Sequence, residues 1–279
     1  MISLVENNEI GSNELLRQLN ANPNTKIIGI TGPPGAGKST LVNALLKIGV
    51  EKKIRIAVLS IDPSSPFNFG ALLGDRIRMS EFYNHPDVYI RSLASRGSLG
   101  GLNKRIIEIV DVLKASNFDY IFIETVGVGQ SEVEIAGLAD TTIVVLVPEA
   151  GDEVQSMKAG LMEIADIFIV NKSDRPNANE FATNLKILAH QKINDWEIPV
   201  LKTVAHQFEG VQEVFEKINE HAVFASKNKS KKLQLLTQKT IQLIQEKRMQ
   251  DISSTAILEK LKNEMENENF NIYEFVKNY

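Results

Sequence analysis

Residues 32–39, GPPGAGKS, constrain the fold of this 279-residue chain more than any other segment. They match the pattern G-x-x-x-x-G-K-[ST], they follow a short apolar run that ends at Thr31, and they precede the helical pattern LVNALLKI. A strand, a glycine-rich loop and a helix in this order form a phosphate-binding loop, because the loop and the helix N-terminus present backbone N–H groups to an anion. The sequence therefore predicts an α/β protein that binds a nucleotide.

Each position of this loop has a predicted part in that binding. Gly35 and Gly37 allow backbone N–H groups to curl round the β-phosphate. Lys38 can neutralise charge on the β- and γ-phosphates, which also gives it a catalytic part, and the Ser39 hydroxyl is placed to ligate magnesium. The predicted nucleotide contacts in this segment are Gly32, Pro33, Pro34, Gly35, Ala36, Gly37, Lys38, Ser39 and Thr40.

Strand-like and helix-like patterns alternate from about residue 26 to residue 224. Several of the strand candidates are apolar almost throughout, as expected of strands that helices cover on both faces. This alternation predicts a P-loop NTPase fold, an α/β architecture with a mainly parallel central sheet flanked by helices. The seven strand candidates are KIIGIT, RIAVLSI, VYIRSL, YIFIET, TTIVVLV, DIFIVN and PVLKTV.

The composition changes near residue 225, where the lysine-rich stretch SKNKSKK begins. No strand pattern follows it, and the remaining sequence predicts two or three helices. Before the first strand, the chain predicts at most one short helix, around Leu15, Leu16 and Leu19. We therefore predict a short N-terminal helical segment (1–24), a nucleotide-binding domain (25–224) and a C-terminal helical extension (225–279).

The preference for guanine is predicted from residues 166–174, DIFIVNKSD, a strand followed by N-K-x-D. An aspartate at position 174 can accept hydrogen bonds from guanine N1–H and the exocyclic amine, a donor pair that adenine lacks. On this interpretation Asp174 selects guanine, Asn171 braces the loop and Lys172 stacks along the base. The later turn TVAHQ brings the Ala205 backbone N–H towards the guanine oxygen. GTP and GDP are the predicted ligands.

Three acidic residues are candidates for binding magnesium together with Ser39. Asp62 and Glu124 follow strand candidates, and ligands of α/β proteins bind at strand ends. Asp75 lies in a long loop and is expected to join when that loop closes. Magnesium prefers oxygen ligands and keeps several waters, so one or two nearby carboxylates suffice. Asp75 and Glu124 are also predicted to contribute to catalysis.

Gly127 is the fourth predicted catalytic position. A glycine shortly after a strand can bring its N–H against a γ-phosphate without a Cβ clash. Hydrolysis would remove that partner and release the following loop, which is the order–disorder switch of GTPases in general. Gln130 is a candidate for orienting the attacking water.

Composition narrows the function classes. The chain has no cysteine, which excludes disulfides and thiolate metal sites and favours a cytoplasmic protein. A net charge of −4 gives no reason to expect nucleic-acid binding. The apolar runs are strand-sized, and the first residues lack the pattern of a signal peptide, so we expect no membrane partner.

The loops together resemble one family. GPPGAGKST, DPSS…LGDRIRM, RGSLGGL, ETVGVGQSE, GDEVQSMKAGLMEIADIF and NKSD are similar to the corresponding segments of the MeaB/ArgK-like GTPases, from about residue 25 to residue 222. The resemblance implies a GTPase chaperone that gates adenosylcobalamin loading and protection of a B12-dependent acyl-CoA mutase. It implies the mutase and a cobalamin adenosyltransferase as partners, and a homodimer.

The resemblance also implies a third mobile loop, PEAGDEVQSMK, that couples the nucleotide state to the mutase. In that loop Asp152, Glu153, Gln155 and Lys158 are candidates for contacting the nucleotide or the partner. Two other functions stay open at this point. One is a metal-insertion GTPase, although the four histidines are scattered along the chain. The other is a GTP-binding adaptor with little hydrolysis.

Overall fold

A computed structural model describes residues 1–62, 79–94, 103, 105–125, 131–150, 160–190, 195–227, 230–249, 252–265 and 270–277. The chain divides into two compact units, Met1–Lys229 and Ser230–Tyr279. Among the described residues, no helix has the length and apolar character that crossing a bilayer requires.

The first unit is built on one sheet of seven parallel strands, in the order β3-β2-β4-β1-β5-β6-β7. All seven strand candidates of the sequence are confirmed, and so is the α/β fold with helices beside the sheet. The strands are β1 (Lys26–Thr31), β2 (Ile56–Asp62), β3 (Val88–Ala94), β4 (Tyr120–Thr125), β5 (Thr141–Leu146), β6 (Ile167–Asn171) and β7 (Val200–Thr203).

Strand β1 lies at the centre of the sheet, between β4 and β5. Its register places Ile30 opposite Glu124 of β4, and Thr31 opposite Val144 of β5. The carboxyl ends of β1 and β4 therefore meet at one edge of the sheet, where the loop after β1 begins. This is the edge at which open parallel sheets bind their ligands.

Helices of the first unit connect and cover the strands. The helix after β1, α3, begins at Lys38 and packs Leu41, Leu45 and Leu46 into the core against the sheet. The described helices are α1 (Ile2–Glu6), α2 (Ser12–Gln18), α3 (Lys38–Glu51), α4 (Ile106–Ala115), α5 (Ser131–Leu138), α6 (Gly160–Ile164), α7 (Ala178–Ala189) and α8 (Val211–Lys227). Short 3₁₀ turns cover Ser80–Phe82, Pro148–Ala150 and Ala205–Gln207.

The expectation of at most one N-terminal helix was wrong. Two short helices precede β1, and the second ends at Gln18, so Leu19 lies just beyond it. The first helix has only five residues, which is too few for a 3.6-residue period to show in the sequence. It is held by tertiary contacts, since the Glu6 carboxylate accepts a hydrogen bond from Arg91 Nη2 of β3 at 2.5 Å.

Helix α8 crosses the sheet from the ligand-binding edge to the opposite one. In its middle, Asn219 accepts a hydrogen bond from Lys26 Nζ at 2.8 Å, and His221 Nδ1 lies 2.8 Å from Thr141 Oγ1. The ring of Trp196 packs edge-on against His221, with 4.8 Å between the ring centroids. Lys26 and Thr141 begin β1 and β5, so these contacts attach the middle of the helix to the amino edge of the sheet.

The second unit contains three described helices, within the two or three that the sequence predicts. They are α9 (Ser230–Arg248), α10 (Ser254–Glu264) and α11 (Ile272–Val276). Helix α10 begins at an N-cap, because the Ser253 hydroxyl accepts a hydrogen bond from the Ala256 N–H. Helix α11 begins in the same way at Asn271.

Candidate nucleotide-binding site

The backbone of the glycine-rich loop after β1 requires glycine at two of its positions. Gly32 has φ +137°, and an added Cβ would lie 2.0 Å from the Val145 carbonyl oxygen. Gly37 has φ +89°, and a Cβ there would lie 2.3 Å from Asn171 Nδ2. Two glycines of the motif are therefore required by close approach to neighbouring strands as well as by conformation.

Lys38 is buried inside this loop. Its Nζ donates hydrogen bonds to the carbonyl oxygens of Gly32 at 2.7 Å and Pro33 at 3.0 Å. A buried ammonium group requires such acceptors, because desolvation without compensation is costly. The ammonium group is thus held against the backbone of the loop, where it can meet a phosphate that the loop binds.

Two predicted metal ligands meet beside the loop. The Ser39 hydroxyl donates a hydrogen bond to Glu124 Oε1 at 2.6 Å, and both residues are buried. They are 85 positions apart in the chain and come together because α3 begins where the carboxyl ends of β1 and β4 adjoin. Next to them, Thr125 Oγ1 donates to Thr31 Oγ1 at 2.9 Å, a link between the two strand ends that the sequence did not reveal.

Asn171 joins three segments of the site. Its Nδ2 donates to the Ala36 carbonyl oxygen at 2.8 Å, and its Oδ1 accepts from Thr203 Oγ1 at 3.0 Å and from the Ala205 N–H at 3.2 Å. The side chain is buried, so these contacts are the ones that satisfy its amide. Asn171, which the sequence predicts to brace its loop, thus connects the end of β6 to the phosphate loop and to the turn after β7.

Lys172 and Asp174 follow on the same turn. Lys172 adopts the left-handed conformation, with φ +56°, and its Nζ donates to the Gly35 carbonyl oxygen at 2.8 Å. Asp174 is exposed at the surface of the turn. Lys172 therefore lies along the phosphate loop, while the Asp174 carboxylate is accessible to a ligand.

An ion pair that sequence reasoning missed lies beside this turn. Arg175 Nη1 contacts Glu149 Oε1 at 2.7 Å. The hydrogen bond from Arg175 lowers the pKa of the Glu149 carboxyl, and the charge of Lys172 contributes in the same direction. Exposed charges separated by 26 positions carry no spacing signal, so no pattern in the sequence points to this pair.

Several predicted residues lie outside the described structure. Asp75, Gly127 and Gln130 are not among the described residues, nor are those of the predicted third loop: Asp152, Glu153, Gln155 and Lys158. The backbone of Asp62 ends β2, and its side chain is not described. The predicted parts of all these residues stay predictions. Within the described ranges, no group of three or more His, Cys, Asp or Glu residues is placed to hold a metal.

The central strand of this parallel sheet runs into a lysine-bearing phosphate loop, and the loop is hydrogen-bonded to an N-K-x-D turn. That combination defines a P-loop GTPase, and this chain has the fold and the loops of one.

Comparison with known proteins supplies the family. A family model described as methylmalonyl-CoA mutase-associated GTPase MeaB matches residues 1–262. The match spans nearly the whole chain, and the chain therefore belongs to this family of GTPases.

Individual relatives agree with that assignment. A putative GTPase of Pyrococcus abyssi is 49% identical over 234 residues, which is 82% of this chain and 72% of the relative. The mitochondrial methylmalonic aciduria type A homolog of Mus musculus is 38% identical over 213 residues, 73% of this chain and 51% of that protein. A crystal structure of a LAO/AO transport system kinase has a TM-score of 0.67 at 26% identity, over 94% of this chain and 77% of that one.

Proposed function

We propose that this chain is a magnesium-dependent GTP-hydrolysing chaperone for a B12-dependent acyl-CoA mutase of the methylmalonyl-CoA mutase type. In this proposal it gates the loading of adenosylcobalamin, supplied by a cobalamin adenosyltransferase, and protects the mutase. The single observation that carries the nucleotide chemistry is the contact of Ser39 with Glu124 beside the phosphate loop. The description of the family and the name of the mouse relative support the link to the mutase.

The residues beside the loop fit magnesium. Ser39 and Glu124 offer a hydroxyl and a carboxylate oxygen, which are ligand types that this hard cation prefers. Ser39 lies in the first turn of α3 and Glu124 near the end of β4, next to the place where the phosphates would bind. These two residues would hold the ion, which supplies neutralisation of the phosphate charge when bound.

The other described residues have distinct parts in the proposal. Lys38 would exchange its carbonyl contacts for the β- and γ-phosphates, because a doubly charged oxygen cluster is a stronger acceptor for an ammonium group than two amide carbonyls. Asn171 would keep the base-binding turn in register with the phosphate loop. Asp174 would accept hydrogen bonds from guanine, and the Ala205 N–H would face the guanine oxygen while it stays near Asn171.

Hydrolysis is expected to be slow in the isolated protein and faster with the partner. Arg76 and Arg78, the arginines that could meet the γ-phosphate, lie outside the described residues. An arginine supplied in trans can raise such a rate by roughly a thousandfold or more. A partner that positions Asp75 and the predicted loop GDEVQSMK, residues 151–158, for catalysis would act in the same direction.

The experiment is to measure GTP turnover alone and with a B12-dependent acyl-CoA mutase from the same host. Lys38→Ala is the control, and it should abolish turnover while leaving the circular dichroism spectrum unchanged. Stimulation by the mutase that Lys38→Ala removes supports the proposal. Turnover that no such mutase changes contradicts the chaperone part, and turnover that survives Lys38→Ala contradicts the assignment of the site.

Guanine selection by Asp174 has its own test. Asp174→Asn should weaken GDP binding and favour xanthosine diphosphate, because the amide can donate to the extra carbonyl of xanthine. The measurement is the affinity for GDP, XDP and ADP of the wild type and the variant. Equal affinity of the wild type for ADP and GDP would show that this turn does not select guanine.

The proposal includes a homodimer formed through the C-terminal extension, residues 225–279. Among its described side chains, helix α9 exposes five large apolar residues that fall on one side of the helix: Leu233, Leu236, Ile241, Leu243 and Ile244. An apolar face of this kind marks a surface that another chain covers. Leu236→Glu together with Ile244→Glu should therefore convert a dimer into a monomer in light scattering. A wild type that is monomeric at high concentration would refute this part.

A further inference from the structure

Arg175 follows Asp174 directly and is held by both its backbone and its side chain. Its N–H donates to the Lys172 carbonyl oxygen at 3.1 Å, which closes the turn, and its guanidinium contacts Glu149 at 2.7 Å. On the other side of Asp174, the Ser173 N–H donates to the Thr203 carbonyl oxygen at 3.0 Å. The exposed Asp174 therefore lies between two residues, Ser173 and Arg175, that hydrogen bonds hold in place.

The acceptors of these hydrogen bonds, Thr203 for Ser173 and Glu149 for Arg175, belong to different parts of the fold. Thr203 ends β7, at the edge of the sheet, and its contact with Ser173 continues the pairing of β6 with β7. Glu149 belongs to the 3₁₀ turn Pro148–Ala150, which follows β5. Glu149 also lies close enough to Lys172 for the charge of that lysine to act on its carboxylate. Glu149 thus contacts Arg175, which directly follows the N-K-x-D turn, and the charge of Lys172 within that turn also acts on its carboxylate.

We propose that the Arg175–Glu149 ion pair is a positioning element that fixes the direction of the Asp174 carboxylate and so sharpens guanine recognition. The inference rests on the proposed function of Asp174. Its physical reason is geometric: a carboxylate accepts two parallel hydrogen bonds from N1–H and the exocyclic amine only when its plane is aligned with the base. A turn that is free on one side samples orientations that make one bond or none.

The expected effect is modest and specific to the base. Both side chains are about half exposed, and exposed pairs contribute little free energy, so we expect GDP affinity to fall about two- to fivefold when the pair is broken. Inosine diphosphate lacks the exocyclic amine and forms only one of the two bonds, so its affinity should fall less. The ratio of GDP to IDP affinity should therefore shrink.

The experiment is a double-mutant cycle of Glu149→Gln, Arg175→Gln and both together, with GDP and IDP affinities measured by titration at low salt. The matched control is Lys217→Gln, which breaks the similarly exposed Lys217–Glu220 pair on α8. If the two residues act as a pair, each single variant lowers the GDP:IDP ratio and the double variant lowers it no further. Arg175→Lys, which keeps the charge, should restore part of the ratio, and the control should not change it.

Several outcomes would overturn the inference: unchanged ratios in the single variants, additive losses in the double variant, or an equal loss in the control. A loss that is the same for GDP and IDP would show a general structural effect and would also overturn it. The proposed function fails in a different way, through a wild type that does not distinguish GDP from ADP. The two failures are therefore separable.

Discussion

Replacing Asn171 with alanine should destabilise the first unit even when no nucleotide is present. The amide makes three hydrogen bonds, with Ala36, Thr203 and Ala205, and all three partners belong to buried parts of the site. A hydrogen bond contributes about 1 kcal/mol net, and a buried partner left without one costs at least that much. Asn171→Ala should therefore lower the free energy of unfolding by about 3 kcal/mol.

The chain offers its own probe for this measurement. Trp196 is its one tryptophan, and it packs against His221 within the first unit. Its fluorescence should report unfolding of that unit in guanidinium chloride. In a thermal scan, a loss of about 3 kcal/mol corresponds to a decrease in Tm of about 6–12 °C for a unit of this size.

Asp174→Ala is the matched control, because it lies three positions away on the same turn and is exposed. It should change stability by less than about 0.5 kcal/mol and still weaken guanine binding. If the free energy of unfolding of Asn171→Ala lies within about 0.5 kcal/mol of the wild-type value, Asn171 does not hold the three segments together and the reasoning is wrong.

Two further predictions follow from the contacts of single residues. Gly37→Ala should impair nucleotide binding, measured by titration, because its methyl group would lie 2.3 Å from Asn171 Nδ2 at a positive φ; unchanged binding would contradict the geometry. The pKa of His190 is raised, first by the Lys186 carbonyl oxygen and then by Glu197, so its NMR titration midpoint should exceed the peptide value of about 6.5. The stabilisation of the folded state by protonated His190 is present below the pKa of His190 in the unfolded chain and is lost as pH rises through its pKa in the folded chain. Glu197→Gln should lower the titration midpoint of His190.

Much of the fold was predictable because it depends on local pattern. A run such as TTIVVLV has the length and β-branched composition of a buried strand, and β5 covers its first six residues. The phosphate loop was predictable because its glycines stand where the backbone needs them. In contrast, helix α1 is too short to show a period, and the contact with Arg91 that holds it spans 85 positions.

The candidate site was predictable in its members more than in their contacts. Strand-end reasoning brought Ser39 and Glu124 to one edge of the sheet, but the direct hydrogen bond between them depends on the register of β1 and β4. Glu149 and Arg175 were not predicted at all. Exposed charges satisfy many arrangements equally well, so only the folded chain shows which cation meets which carboxylate.

The attachment of the N-K-x-D turn to the phosphate loop has a thermodynamic consequence. Asn171 and Lys172 donate to adjacent carbonyl oxygens, those of Ala36 and Gly35, so the two halves of the ligand would meet a single rigid receptor. The guanosine and pyrophosphate parts of GDP are then two covalently linked fragments. Once one part has bound, the rigid spacing of the site raises the effective concentration of the other. Guanosine and pyrophosphate offered separately should bind weakly, and GDP should bind more tightly than the product of their two affinities, because the entropy of bringing the fragments together is lost only once.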